Sequence, residues 1–600
     1  MTKAKKENKK RYISKKSTFA ELIPILFTLA VVPLIIFAYT DKTSQVEALN
    51  FSGDNVFIDI FNYYKSVGVI LAAIAAMGVY FIKYLKDGFE IKKSKFYLPT
   101  AIYAGFIVLS SLTSEYREIA ISGFAERYEG MILLLCYLVL LVITYNFVNT
   151  DKHITYITVA LAISSSIICL IGIAQFIGYN FFGSYFAKQF LYGGLGGQEV
   201  SFPFGKNAVF STLSNSNYVG SFVALVLPLF LFTIFRASRV RTKIGLATLV
   251  AALICILIGS KSRAGLVGCA IIALLLIVIF RRDIWKKKVL FIGLVSLCVV
   301  GIFAVNIVTN GMLSNKVVEV LKLDKEQRGV TFDLSDIILE NDECKIVAGD
   351  ETLYLKIENS TLLLYDKNKQ PIEIEIHNGE NTTKNISIKN DKYKDYVLSL
   401  VDSILEVKNK DANFSFLMTN AGFMIMGEGK KATSEIGHPE SFGFKNMETL
   451  GSARGYLWSR TIPMLKDTII KGYGPDTYAI KFPQNDYVGK IRAYGVSNIS
   501  VTKPHNLYLQ IGVNTGVLSL IAVLVLFGIY IAECIRLYCR KQFDKQKLSH
   551  ITGAGIFMGV CGYLVAGLFN DSVVPVAPVF WVLLGVGFAC NYLVRNEKAG

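Results

Sequence analysis

KPHNLYLQIGVNTGVLSLIAVLVLF, residues 503–527, is where a long polar stretch gives way to an apolar one. Pro504 disfavours helix at Lys503 and suits a helix start, so a helix is predicted from Leu507 onward. Extended to residue 534, the apolar run is long enough to cross a bilayer, which takes about 20 residues. His505 then stands at the membrane surface, at the end of a polar stretch covering 310–506. Most of the remaining chain is hydrocarbon-seeking, so groups able to do chemistry are few and their positions are informative.

Outward from that junction the chain reads as membrane helix. Of its 600 residues, 52% are hydrophobic, and the mean hydropathy is +0.45, too apolar for a soluble globule. Twelve spanning segments are expected, at 18–39, 66–85, 96–113, 131–148, 154–177, 210–235, 244–260, 264–280, 289–309, 507–534, 550–570 and 578–594. Residues 1–17 form a basic tail, 18–309 carry spans one to nine, and 507–600 carry spans ten to twelve. The net charge of +17 gathers in that tail and at Lys83–Lys95, Arg236–Lys243, Arg281–Lys288 and Arg536–Lys547. Twelve crossings put these clusters and both termini on one side, the cytoplasm by the positive-inside rule. Because the clusters are juxtamembrane, nucleic acid is not needed as a partner; membrane lipid is. The first apolar run is long and others follow, so a span is expected there and not a cleaved signal.

The segment 310–506 is read as one extracytoplasmic loop. Residues 316–450 carry 17 Lys+Arg against 24 Asp+Glu, a net −7 in a basic chain. Within it, VTFDLSDIILE, CKIVAGDETLYLKIE, STLLLYDKNKQPIEIEIHN and NISIKN alternate apolar and polar residues between turn formers such as Asp366-Lys-Asn368 and Asn378-Gly379. That pattern predicts short antiparallel strands, a β-rich insert at 328–430. The period then changes. Leu450, Leu457, Thr461 and Leu465 recur at helical spacing, and Gly472-Tyr-Gly-Pro-Asp476 marks a turn, so 440–506 is expected to be helical and membrane-lying.

Candidate site residues follow from chemistry and position. His505 is a natural base for a hydroxyl, or a residue that simply caps the helix. Asn506, Gln510 and Asn514 form a polar stripe at i, i+4, i+8, which faces a cavity or glues helices together. Arg263, beside Lys261 in GSKSRAGLVG, suits phosphate oxygens or snorkels at the membrane edge. Arg454 has Trp458 one turn on, as packing or as a cation held toward phosphate, whereas Arg460 and Lys466 read as a solvated face. Arg127, between two glutamates in GFAERYEG, reads first as a local ion pair. Asn215 and Asn217 stand at a helix start as caps. Asp571, in FNDSVVP near a helix end, is a candidate to orient His505. Only Cys344 of ten cysteines lies in the large loop, so no disulfide framework is expected. Gly193–Gly197 does not follow a strand, and His438-Pro-Glu440 is too short for a metal site, so no metal and no other cofactor is expected.

Four stretches carry a family likeness: SNSNYVGSFVALVLPL, SKSRAGL, RGYLWSRTIPMLKDTIIKGYGPDTY and PHNLYLQIGVNTGVLSL. Their order, with the expected helices and the large loop just before the histidine, resembles the O-antigen ligase and O-antigen polymerase superfamily of bacterial membrane glycosyltransferases. The likeness covers most of the chain outside the β-rich insert. It departs at Asn514, where many relatives carry a carboxylate. It implies an all-α polytopic membrane protein of the GT-C-like kind, working without a metal on the outer face of the cytoplasmic membrane. The donor would be a glycan on a polyprenyl (undecaprenyl) diphosphate. The acceptor would be a glycan, a wall polymer, a lipid or a protein hydroxyl. By the same likeness His505 would be the base, and Arg263 and Arg454 would hold the diphosphate. Ligase and polymerase share these motifs. A transporter or flippase of lipid-linked glycans is the alternative of another class, and a non-catalytic sensor built on the β-rich insert is a third.

Overall fold

The computed structural model describes residues 19–42, 56–88, 91–192, 208–286, 331–340, 342–358, 361–378, 383–540, 544 and 546–597. The basic tail, the ninth expected span (289–309), the Gly193–Gly197 run and the turn residue Gly379 lie outside them.

The apolar runs fold as helices because a backbone in hydrocarbon must satisfy its own polar groups. In order they are α1 (Phe19–Ala30), the strands β1 (Tyr39–Lys42) and β2 (Val56–Asp59), then α2 (Tyr63–Asp87), α3 (Tyr97–Leu112), α4 (Arg117–Ser122), α5 (Met131–Phe147), α6 (Asp151–Phe176), α7 (Tyr185–Phe190), α8 (Ser216–Arg236), α9 (Val240–Ser260) and α10 (Arg263–Lys286). After the β-rich region come α11 (Leu450–Met464), α12 (Tyr478–Lys481), α13 (Tyr487–Tyr494), α14 (Leu507–Thr515), α15 (Val517–Cys534), α16 (Leu548–Ala566) and α17 (Ala577–Asn596). Among the described residues, eight helices are long and apolar enough to cross a membrane: α2, α6, α8, α9, α10, α15, α16 and α17. Three shorter apolar helices stand at the first, third and fourth expected spans. The chain is thus mostly helical, with a β-rich region. The small pairing of β1 with β2 was not foreseen.

The interior of the bundle is α8, α16 and α17. In α16 and α17, 89% of the apolar window is buried, against 28% in α10 and 33% in α9, whose sides are left for lipid. Helix α16 packs against α8, α10 and α17. Helices α8 and α10 cross at Gly220 and Gly265, where a Cβ on Gly265 would lie 2.5 Å from the Gly220 Cα. That approach brings the first turn of α8 beside the first turn of α10.

The tenth span departs from expectation. It is two helices, α14 and α15, broken at Gly516, whose φ of 106° and ψ of 156° are essentially glycine-only. The segment 468–474 repairs the break. Thr468 O and Ile469 O accept from the amides of Val517 and Leu518, while the amides of Tyr473 and Gly474 donate to Val513 O and Asn514 O. The Gly472–Asp476 turn is therefore built into the bundle, held there by Ser110 of α3 and by Ser114 just past that helix.

In the β-rich region, β3 (Leu334–Glu340), β4 (Glu343–Ala348), β5 (Glu351–Glu358) and β6 (Thr361–Tyr365) form one antiparallel meander. A second meander runs through β7 (Ile374–Asn378), β8 (Thr383–Ile388), β9 (Tyr396–Val401), β10 (Ile404–Asn409), β11 (Ala412–Thr419), β12 (Gly422–Met426) and β13 (Ala432–Thr433). The two share one core, which also takes in Tyr487, Val488 and Ile491 of α13. Cys344 is buried in that core.

Candidate active site

Four consecutive residues between α16 and α17, Phe569-Asn570-Asp571-Ser572, each hold a different part of the site. Phe569 O accepts from Arg454 Nε and Nη2 at 3.0 and 2.8 Å. Asn570 Nδ2 donates to Asn217 O at 3.2 Å and to Ser221 Oγ at 2.8 Å. Asp571 Oδ2 lies 3.0 Å from His505 Nδ1, and Asp571 Oδ1 accepts from the Asn506 amide at 3.2 Å. Ser572 donates its amide to Gln510 Oε1 at 2.7 Å and its hydroxyl to Glu129 Oε1 at 2.9 Å.

His505 is the half-exposed member of its pair; its side chain is 30% exposed and that of Asp571 0%. Its φ of 50° is left-handed, a strained backbone for a non-glycine residue. The helix cap is Asn506, whose side chain accepts from the amides of Tyr508 and Leu509, so the imidazole is not spent on capping. Burial pushes the imidazole below its usual pKa, and Asp571 works against that. Burial alone would raise the Asp571 carboxyl, but His505, Arg127 and Lys503 outweigh it and hold it at about 2. An ionised Asp571 can only accept a hydrogen bond. The shared proton is therefore on His505 Nδ1, and a neutral imidazole keeps its lone pair on Nε2.

Arg454 follows three left-handed residues, Gly451, Ser452 and Ala453, with φ of 64°, 59° and 64°. Its guanidinium donates to neutral carbonyls, Phe569 O and Gly451 O (2.6 Å), and pairs with no carboxylate among the described residues. Burial lowers its pKa, and Arg263 adds to that as a like charge close enough to be felt. Arg263 is exposed at the first position of α10; exposed Lys261 closes α9 with a left-handed φ of 53°. The Gly220–Gly265 crossing carries Asn217 to this place, half-buried, with its carbonyl taken by Asn570. Trp458 grips the neighbours of both clusters. Its Nε1 donates to Pro504 O at 3.0 Å, and its ring packs on Phe569 and Phe444.

Arg127 is a buried strut. Its Nε meets Asp476 Oδ1 at 3.0 Å, its Nη2 donates to Ser572 O at 3.3 Å, and Glu129 Oε2 lies 3.7 Å away. The local pair read from GFAERYEG is thus only the weaker half of its partners, and its main one lies in the distant turn Gly472–Asp476. Burial raises the Glu129 carboxyl to about 7. Gln510 is buried and engaged with Ser572, and Asn514 is buried with its Oδ1 unpartnered among the described residues. The stripe Asn506, Gln510, Asn514 therefore faces inward on the short α14. Outside the expected set, Lys503 pairs with Glu126 at 3.2 Å and donates to Tyr218 OH at 3.3 Å. Asp476 and Ser572 also went unrecognised, since nothing in the local pattern distinguishes a buried acid or serine in a turn.

His505, Arg454, Arg263, Asn217 and Asp571 therefore gather at one end of the helix bundle, the end that carries the β-rich region. This arrangement is that of a multi-helix membrane protein with a polar, partly open site where its helices end. A family model described as O-antigen ligase matches residues 412–524, which include Arg454 and His505. Over that stretch the chain is similar to the O-antigen ligase family, the family its sequence motifs resemble. The match begins at Ala412 in β11, inside the region expected to stand apart from the likeness. No curated protein and no solved structure matches the chain.

Proposed function

We propose that this protein is a glycosyltransferase. It moves a glycan from a polyprenyl diphosphate to an acceptor hydroxyl on the outer face of the bacterial cytoplasmic membrane, as the ligase of a surface or cell-wall polysaccharide. The observation that carries this reading is the His505–Asp571 pair beside the Arg454 guanidinium, which has no carboxylate partner among the described residues. Neutral His505 takes the acceptor's hydroxyl proton on Nε2, and Asp571 steadies the imidazolium that forms. The hydroxyl oxygen bonds to the anomeric carbon as that carbon's bond to the diphosphate oxygen breaks. The electron pair leaves with the polyprenyl diphosphate. Arg454 and Arg263 neutralise the departing anion, a role suited to bidentate guanidinium. Attack opposite the leaving group inverts the anomeric centre.

Polymerisation uses the same chemistry with a second lipid-linked repeat as acceptor. Transport fits less well, because transporters gather their charged sites near the midplane of broken helices, whereas these groups lie at helix ends. The test is mass analysis of lipid-linked and surface glycans in cells producing His505→Ala or Arg454→Ala, each checked for correct insertion. Loss of transfer by about 10²-fold or more is expected for His505→Ala. Parental transfer in both variants would end the enzymatic reading. Long chains left on lipid mark a ligase; single repeats mark a polymerase.

A further inference from the structure

Two clusters of charge meet at His505. One is Arg454 with Arg263, fixed through Phe569 and the start of α10. The other lies two residues before the histidine. Lys503 Nζ pairs with Glu126 Oε1 at 3.2 Å and reaches Tyr218 OH, in the first turn of α8, at 3.3 Å. The imidazole feels both Arg454 and Lys503, and Glu126 in turn feels the imidazole. The two sides differ in kind. The arginine side is cationic and suits a diphosphate. On the lysine side the charges of Lys503 and Glu126 cancel, leaving a carboxylate, an ammonium and a phenol, which give and take hydrogen bonds without attracting an anion.

Glu126 is also held in place at some cost. Its φ is 81°, far from ordinary for a non-glycine residue. Asn62 Nδ2 donates to its carbonyl at 2.7 Å, and Asp59 Oδ2 holds the same amide at 3.3 Å. Its side chain is nevertheless 40% exposed, and that of Lys503 17%. A strained, braced carboxylate left open beside a base is arranged to meet something from solution. The groups present match the alternating hydroxyls of a sugar, and the buried Tyr218 steadies Lys503 through its phenol oxygen.

We propose that Glu126, Lys503 and Tyr218 form the acceptor side of the site and bind a neutral, polyhydroxylated glycan next to the hydroxyl that His505 deprotonates. This rests on the glycosyl-transfer reading above. The test uses the full-length protein in lipid nanodiscs, with lipid-linked glycan and envelope polysaccharide from the same cells as donor and acceptor, each varied in turn. Glu126→Gln should raise the half-saturating acceptor concentration about tenfold and leave that of the donor within twofold. Tyr218→Phe, which removes one oxygen, should shift the same constant a few-fold. Arg454→Lys, run in parallel, should shift the donor constant alone. An unchanged acceptor constant in both Glu126→Gln and Tyr218→Phe would overturn the proposal, as would equal shifts for donor and acceptor, while the Arg454→Lys result keeps the transfer reading separately testable. No transfer by the parental protein would overturn both.

Discussion

His505 can accept a proton only while it is neutral, and its surroundings keep it neutral to lower pH than usual. The rate of transfer should therefore rise with pH along an acid limb whose midpoint lies below 6.5, and should be flat through neutrality. Asp571 sets how far below, since it is the group that opposes burial. Asp571→Asn should move that limb to still lower pH and cut the plateau rate by about 10²-fold, because a weaker and less fixed base remains. A pH–rate profile of the two proteins checks this; an unmoved limb would remove Asp571 from the proton step. At this scale the residues that titrate or carry charge at an element's end were readable: His505, Arg454 and Asp571 stand out in an apolar chain. Arg127 was readable as a residue but not as a strut, since its chief partner Asp476 is 349 positions away. Glu126 was readable only as a neighbour of Arg127, and its pairing with Lys503 was not, since the two are 377 positions apart.

Elements place these side chains through two backbone approaches. At the α8–α10 crossing, Gly265 faces the Gly220 backbone itself, with no flexible side chain to move aside. Gly265→Ala should destabilise the protein by about 1–3 kcal/mol and part Arg263 from Asn217. Thermal unfolding of the purified variant, with donor binding measured alongside, checks both; an unaltered melting temperature would mean that the helices do not meet so closely. The eight long apolar helices were legible from hydropathy, because a bilayer imposes length and apolarity on every helix that crosses it. The break at Gly516 was not. Glycine is tolerated in helices, and what makes this one a break is the segment 468–474 arriving from elsewhere to satisfy the freed amides and carbonyls.

Across the whole molecule, the β-rich region and the site are joined through α13. Ile491 of that helix is wholly buried in the β core. The Gly495 carbonyl just past the helix accepts from the Asn413 amide at 2.7 Å. Tyr494, at the helix end, is felt by Arg454. Ile491→Ala should cost about 2–5 kcal/mol. Hydrogen exchange would read that loss as faster opening of β3–β13 while the bundle amides stay protected; equal protection in both proteins would show the β region to be independent of α13. Most of the strands were legible because one face is buried, as the alternation in β10 shows. Their attachment to α13 was not, since that helix is short and its apolar residues are few. The connector 569–572 has one more implication. A ribosome delivers it after every other piece it fastens, from Arg127 to Gln510. Until those residues leave the insertion machinery, a nascent chain holds its histidine and arginines unassembled, so the site closes only when synthesis is all but done.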